Sequence, residues 1–302
     1  MMSEFTLCIT TYNRLSELKK TLHSLEYLII VEGLNCIICD DGSTDGTFDY
    51  VHKQYPSIHI FRNLNNRGLI YCRNRIMDQV KTKFAISLDD DANFLIEPDF
   101  NAVSQYFEKF DECGVLSMRI FWGINPPNKK LSLEEPTRVK GFAGGAHIMR
   151  ISAWKQIPDY PEWFKFYGEE DFAAFHLFKR GLEVHYYPDI LIHHRVDIKS
   201  RKKNKDYIQR TRRSLRSGWY LYLMFYPKRL IPKRMVYSIW MQYKTKVIRG
   251  DFKALIAIKL AMMDLLLNSI KILQNSNRLT HSEFKKFEKI APTRIYWREK
   301  ND

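Results

Sequence analysis

LDDDANF (Leu88–Phe94) places three consecutive carboxylates directly after the apolar run Phe84-Ala85-Ile86-Ser87-Leu88. A short apolar run bounded by polar residues reads as a buried strand, and open α/β sheets bind ligands at the carboxyl ends of such strands. Side chains alternate in direction along an extended chain, so Asp89 and Asp91 face one way and Asp90 the other. Two carboxylates on one face suit a hard divalent cation, Mg²⁺ or Mn²⁺, which keeps further positions for water or phosphate. Without a cation the clustered charges repel one another. The plain alternative is an acidic turn that caps the next helix.

Outward from this strand, the first half alternates strand-like and helix-like pieces. Phe5–Thr10, Cys36–Cys39, Ile58–Arg62 and Phe84–Leu88 read as strands, and Leu15–Leu28, Phe48–Tyr55 and Leu69–Val80 as helices. This rhythm predicts an α/β fold with a mostly parallel central sheet covered on both faces. From Ala102 the pattern becomes α+β. A helix (Ala102–Phe110), a strand (Gly114–Ile120) and a Pro- and Asn-rich loop (Asn125–Pro136) come first. The Gly-rich Gly141–Gly145, a helix at Asp171–Arg180 and strands at Glu183–Tyr187 and Ile190–His193 follow. Lys199–Asp206 reads as a charged linker, and the remainder as helical and amphipathic. In Lys253–Leu273 the polar residues Lys253, Asp264, Asn268 and Lys271 fall on one narrow face.

An apolar content of 45% with 27% charged residues is a globular composition. Met1-Met2-Ser3-Glu4 runs into a strand-like segment with no signal-peptide pattern, and no apolar stretch reaches the roughly 18–20 residues of a membrane span. The five cysteines are sparse and odd in number, as for reduced thiols in a cytosol. Cys36 and Cys39 form a C-x-x-C inside a strand, where they face opposite sides, so buried thiols are expected rather than a zinc or redox pair. Charge is unevenly spread: residues 1–198 hold 22 Lys/Arg against 27 Asp/Glu, whereas 199–249 hold 16 against the single acid Asp206. A basic block beside an acidic half points to an anionic surface as its partner.

Three further segments carry chemistry. Thr10-Thr11-Tyr12-Asn13-Arg14 supplies hydroxyls, an aromatic face and a cation at a strand end. CDDGSTDGT (Cys39–Thr47) ends the second strand in carboxylates that could accept the imide N–H of a uracil or thymine, or a ribose hydroxyl. NLNNRGLIYCRN (Asn63–Asn74) follows, then LDDD. Taken singly, these are commonplace turns and caps.

In this order and spacing they resemble the family-2 glycosyltransferases of the nucleotide-diphosphosugar transferase (glycosyltransferase-A) fold. The resemblance covers roughly residues 5–215 and is strongest over the first 95. It implies a hexosyltransferase-type enzyme with a UDP- or dTDP-sugar donor, Mn²⁺ or Mg²⁺, and inversion at the anomeric carbon. Thr10, Tyr12 and Asp41 would hold the base, Arg73 would approach the diphosphate or sugar, and Asp89 and Asp91 would be the Asp-x-Asp pair on sugar-nucleotide and metal. Arg14 and Asp90 are counted with the donor-binding set.

WFKFYGEEDFAAFHLFKRG (Trp163–Gly181) resembles the acidic motif that carries the family's catalytic base. Its spacing to Gly181 is a residue shorter than the common version. That leaves Asp171 and Glu170 as candidates, with Asp171 preferred. YYPDILIHHR (Tyr186–Arg195) resembles the strand end that supplies a His metal ligand. His193 and His194 point to opposite sides, so at most one faces the metal; His193 is the residue chosen, and the resemblance would bear His194 equally. GFAGGAHIMRISAW (Gly141–Trp154) resembles the Gly-rich lining of the donor and acceptor pocket.

The expected division is a catalytic domain over 1–215 and a helical basic extension over 216–302. Lys199–Arg249 interleaves basic residues with Trp219, Tyr220, Tyr222, Phe225, Tyr226, Trp240 and Tyr243, a composition suited to an anionic headgroup zone. The expected location is therefore cytoplasmic, peripheral at the inner face of a membrane, with a saccharide or lipid-linked saccharide acceptor and a role in surface polysaccharide synthesis. No nucleic-acid module accompanies the basic run, and the acidic N-terminal half argues against a nucleic-acid partner. The rival readings are a sugar nucleotidyltransferase, which would open with a Gly-rich loop absent from Thr10–Arg14, and a catalytically inactive sugar- or membrane-binding protein of the same fold.

Overall fold

The computed structural model describes residues 2–196 and 206–294. β1 (Phe5–Thr11), β2 (Asn35–Asp40), β3 (His59–Arg62) and β4 (Phe84–Asp89) lie parallel in the order β3-β2-β1-β4. Phe5 to Ile9 are all buried, as a parallel strand covered on both faces requires. The crossovers are α1 (Leu15–Glu26), α2 (Thr47–Gln54) and α3 (Leu69–Met77). Thr10 stands beside both Asp89 and Cys39, so β1, β2 and β4 end in one row. All five cysteines are buried and free.

Beyond β4 the sheet becomes mixed. β5 (Ala92–Phe94), α4 (Phe100–Lys109), β6 (Cys113–Trp122), β7 (Thr137–Val139), β8 (Ala146–Arg150), α5 (Ile151–Trp154), α6 (Glu169–Lys179) and β9 (Glu183–His194) follow. β8 runs antiparallel between β4 and β6, and β9 lies parallel to β6. β5 and β7 are both antiparallel to β9. The two strands expected within 183–193 are one. Its register shifts between the Met118–Tyr187 and Arg119–Leu191 pairs, a bulge that accommodates Pro188 without a ladder N–H. β5, β7 and β8 are short and lie beside glycines or turns, and the sequence reading did not separate them from loops. β5 is the most consequential of the three: it pairs Ala92 with His194 and brings the end of β9 beside the carboxylates.

The C-terminal part forms α7 (Tyr207–Phe225), α8 (Ile231–Gln242), α9 (Phe252–Leu267), α10 (Ser269–Gln274) and α11 (His281–Lys289). The expected division at 215/216 falls inside α7, which runs on without a break. Phe225 stacks on Phe175 of α6 with ring centroids 4.7 Å apart, and Phe287 of α11 packs on the same ring at 4.8 Å. The helices therefore share a core with the sheet's covering layer. Trp219, Tyr220 and Phe225, expected at a headgroup surface, are buried in that core. The charged linker over 199–205, with Lys202 and Lys203, lies outside the described residues.

Asp264 is also inside, contrary to its expected place on an exposed polar face. Arg212 grips its two oxygens at 2.7 and 2.6 Å, and Arg216 donates to it at 3.2 Å and to the Phe164 carbonyl at 2.6 Å. The guanidiniums offset the desolvation of the carboxylate and hold its pKa down. Removing the carboxylate would strand two partly buried cations. Asp264→Ala should therefore cost about 3 kcal/mol in urea unfolding; a loss below about 1 kcal/mol would place the pair among weak surface bridges.

Candidate active site

The carboxylates of Asp89 and Asp91 face the same side at the end of β4, as strand alternation predicts. His194 joins them from β9: ligand atoms of Asp89, Asp91 and His194 lie within 4.8 Å of one another. His194 Nε2 is 3.0 Å from Asp91 Oδ1 and 3.8 Å from Asp89 Oδ2. The expected ligand His193 points the other way. Its Nε2 bonds the Gly123 carbonyl at 2.8 Å and its ring packs on Phe121. Two carboxylate oxygens and an imidazole nitrogen form a donor set that fits Mn²⁺ or another hard-to-borderline cation. Burial works to raise the pKa of Asp91, but His194 and Arg14 override it and hold the carboxyl well below the usual range.

Asp90 turns to the opposite side and is buried. It accepts from Thr11 Oγ1 at 2.8 Å and pairs with Arg14 at 2.9 Å, while its carbonyl accepts from Thr21 of α1 at 2.7 Å. Burial pushes its carboxyl up to about 7; Arg14 pulls it back and the charge of Asp91 adds to the rise. Asp90 thus ties α1 to the strand end and does not reach the side shared by Asp89 and Asp91, so its expected donor contact is not borne by its position. Arg14 spans the two faces, with its other nitrogen 2.6 Å from Asp91.

The turns after β1 and β2 are laced together. Asn13, in the left-handed region at φ 50°, donates its N–H to Ser43 Oγ at 2.9 Å and accepts from Thr44 N–H at 2.7 Å. The Leu15 N–H at the start of α1 reaches Asp45 at 2.9 Å. Tyr12 projects from this turn, 44% exposed. Asp41 was expected to meet a nucleobase. Its oxygens instead accept from Asn63 Nδ2, Arg67 N–H and Gly68 N–H, each at 2.8 Å. Those donors fill three of the about four acceptor directions of a carboxylate. Asp41 therefore fixes the loop that leads into α3.

Arg73 projects from α3 and is buried between two acids, 3.2 Å from Asp89 and 2.5 Å from Glu169. It connects the end of β4 to the first turn of α6, where Glu169, Glu170 and Asp171 follow Gly168 and meet the positive end of the helix. Glu169 is buried. Desolvation, then the charge of Glu170, push its pKa well up against the pull of Arg73. Asp171, the last acid of this turn, is exposed, and the adjacent charge of Glu170 raises its pKa. An accessible carboxylate in this position is suited to accept a proton from an alcohol.

The glycines expected to line a pocket run from one acidic group to the other. A Cβ built on Gly145 would lie 2.1 Å from Asp89 Oδ2, and one on Gly144 would lie 2.5 Å from Arg73 and 3.2 Å from Glu170. A Cβ on Gly141 would stand 3.4 Å from Asp171. Bare backbone is needed there because the carboxylates and Arg73 occupy the side-chain space. The sequence reading missed His194 as the inward ring, and Glu169 as the buried partner of Arg73. The pairing of Asn93 with His193, which sets the orientation of both rings, depends on β5, and no pattern in the sequence announces that pairing.

A mixed α/β sheet whose strand ends carry an Asp-x-Asp pair beside an acidic helix start has the architecture of the glycosyltransferase-A fold. The profile of "Glycosyl transferase family 2" matches residues 6–172. The chain belongs to that family. A search of curated proteins gives no match. Among solved structures, GalNAc-T7 with UDP, GalNAc and Mn²⁺ superposes with a TM-score of 0.60 at 14% identity, covering 88% of this chain and 57% of that one. The mannosyltransferase PcManGT from Pyrobaculum calidifontis, with GDP-Man and Mn²⁺, gives 0.55 at 14% identity over 88% of this chain and 75% of that one. TarS 1–349 of S. aureus with UDP-GlcNAc gives 0.51 at 16% identity over 72% and 66%. The chain thus spans little more than half of GalNAc-T7, and at these identities the likeness speaks for the fold.

Gly145→Ala should lower stability by about 1–3 kcal/mol, the usual cost of overpacking. Gly218, inside α7 with open space around its Cα, provides the contrast: Gly218→Ala should stabilise by about 0.5–1 kcal/mol through helix propensity. Equal effects of the two in denaturant titrations would contradict the close approach at Gly145.

Proposed function

We propose that the protein is a metal-dependent, inverting glycosyltransferase. It moves a sugar from a UDP- or dTDP-sugar to a hydroxyl of a saccharide or lipid-linked saccharide, in surface polysaccharide synthesis at the inner face of an anionic membrane. The observation that carries this reading is the pairing of two acidic groups across Gly141–Gly145, a convergent Asp89–Asp91–His194 set and an accessible Asp171 in the first turn of α6. GalNAc-T7 and PcManGT, of the same fold, are described with Mn²⁺ and with UDP or GDP-Man.

In this reading Thr10 and Tyr12 hold the base, with Asp41 fixing the loop beneath it. Asp89, Asp91 and His194 hold Mn²⁺ or Mg²⁺, which would neutralise the charge of the departing diphosphate. Arg73, already between Asp89 and Glu169, stands where a sugar or diphosphate oxygen would enter. Asp171 takes the proton of the acceptor hydroxyl as its oxygen bonds to the anomeric carbon. The bond from that carbon to the diphosphate oxygen breaks on the opposite side, and this single in-line displacement inverts the configuration. Glu170, one residue earlier in the same turn, is the second candidate for the base. Its Oε2 is buried without a hydrogen-bond partner.

The metal assignment separates the two histidines. In Mn²⁺ titrations followed by electron paramagnetic resonance, His194→Ala and Asp91→Asn should weaken binding by at least about tenfold, whereas His193→Ala should leave it near wild type. The reverse order would return the role to His193.

The base assignment gives a pH dependence. Because Asp171 acts as carboxylate, the transfer rate should rise as pH increases through its raised pKa and level off above it. Asp171→Asn should retain donor affinity, remove that rise and lose on the order of 10²–10⁴ in rate. An active Asp171→Asn beside a dead Glu170→Gln would move the base to Glu170.

A further inference from the structure

α9 is built inside out for a helix on a protein surface. The side it turns to α7 carries Ala254, Ala257, Ala261 and the ion-paired Asp264, all buried. Small residues let the two helices approach closely, and Asp264 answers Arg212 and Arg216. Ile258 joins them inside, but most of the large apolar residues point outward: Phe252 is 69% exposed, Leu266 78%, Leu267 77% and Ile270, on α10, 69%. Trp240 and Tyr237 of α8, which like α9 packs on α7, are also exposed, 51% and 59%. Of the 21 exposed large apolar side chains among the described residues, 13 lie between 236 and 273. Concentrated exposure of this kind marks an interaction surface.

The charge around this face selects its occupant. Residues 228–274 contain ten Lys/Arg and two acids, Asp251 and Asp264. Both acids are engaged: Asp251 caps α9 at Ala254 N–H and accepts from Tyr207, and Asp264 is buried in its ion pair. Lys253, Lys259 and Lys271 are exposed along α9 and α10. A cleft of about 510 Å³ at the start of α8 is lined by Arg234, His281, Lys285, Lys286 and Lys289, with one acid, Glu288, paired to Arg234 and Lys140. A two-fold contact between copies would set this basic surface against itself, which like-charge repulsion opposes. An aliphatic centre with Trp and Tyr at its side and a basic rim without free carboxylates matches the interface of an anionic bilayer. No described helix is long and apolar enough to cross a membrane, so the helices would lie in the interface.

We propose that α8–α10 form a face that inserts into the headgroup and acyl boundary of an anionic membrane. This rests on the reading of the protein as a transferase working at a membrane, and it assigns that contact to apolar insertion at a named surface. α7, which supports this face, contacts the loop before α6 through Arg216 and the Phe164 carbonyl, and a Cβ on Gly168 would lie 3.0 Å from Ser217. The helix that supports this face is thus packed directly on the loop that leads into the acidic turn of α6.

Flotation of the purified chain with vesicles of phosphatidylcholine, alone or mixed with phosphatidylglycerol, tests the proposal. Wild type should float with the mixed vesicles and far less with the neutral ones. The pair Leu266→Gln/Leu267→Gln should weaken binding by about tenfold or more, with unchanged circular dichroism and melting temperature. Lys253→Gln/Lys259→Gln/Lys271→Gln should weaken it in proportion to the charge lost. Failure of wild type to float, or equal flotation of the leucine pair, overturns insertion. So does light scattering that shows a dimer which the leucine pair converts to a monomer. Mn²⁺-dependent binding of UDP, read by thermal shift on the same proteins, should be identical in all of them. Its presence without flotation would reject only the membrane face, and flotation without it would reject only the transferase reading.

Discussion

Six carboxylates converge on one edge of this sheet, and the neutralisation of their repulsion is the constraint around which the site is arranged. Asp89 ends β4 and Asp90 and Asp91 form the turn after it, while Glu169, Glu170 and Asp171 begin α6. Arg14 is shared by Asp90 and Asp91, and Arg73 by Asp89 and Glu169. Two guanidiniums cannot balance six acids. Burial, with the neighbouring acids adding to it, raises the pKa values of Asp90 and Glu169. A divalent cation between Asp89, Asp91 and His194 would supply the missing charge and turn an acidic edge into one that accepts a diphosphate. Asp171, outside that set, retains the elevated pKa that suits proton transfer.

Much of this edge is readable from residues alone because it depends on local rules. Strand alternation gives Asp89 and Asp91 a common face, and an apolar run ending in polar turns locates the ends of β1, β2 and β4. The acid-rich first turn of α6 is a helix start by ordinary dipole complementarity. What is not readable depends on partners far away in sequence. His193 and His194 alternate as expected, but only the pairing of β9 with β5 decides which ring turns inward. Asp41 is chemically able to hold a base, yet its lone pairs meet a loop more than twenty residues on. Asp90 belongs to the same motif as its neighbours and is separated from them by one step of the pleat.

The C-terminal helices carry the same lesson with opposite sign. Periodicity in Lys253–Leu273 assigns Asp264 to solvent, because a charged residue on an otherwise apolar helix ordinarily faces water. Two arginines of α7 reverse that assignment, since a carboxylate with well-placed partners can be buried. The large apolar residues are then left outside, and an extension that composition describes as basic and aromatic becomes an apolar face with a basic rim. The buried aromatics of α7 and α11 fasten it to the layer that holds α6, so the exposed apolar face and the acidic turn belong to one packed unit.

The most direct measurement is anomalous diffraction at the manganese edge from crystals grown with Mn²⁺ and UDP. The account predicts one strong peak in coordination distance of Asp89, Asp91 and His194, with the diphosphate on its open side and Asp171 outside the metal's reach. A peak ligated by Glu169–Asp171, or UDP bound in the same turns with no metal beside Asp91, would contradict it.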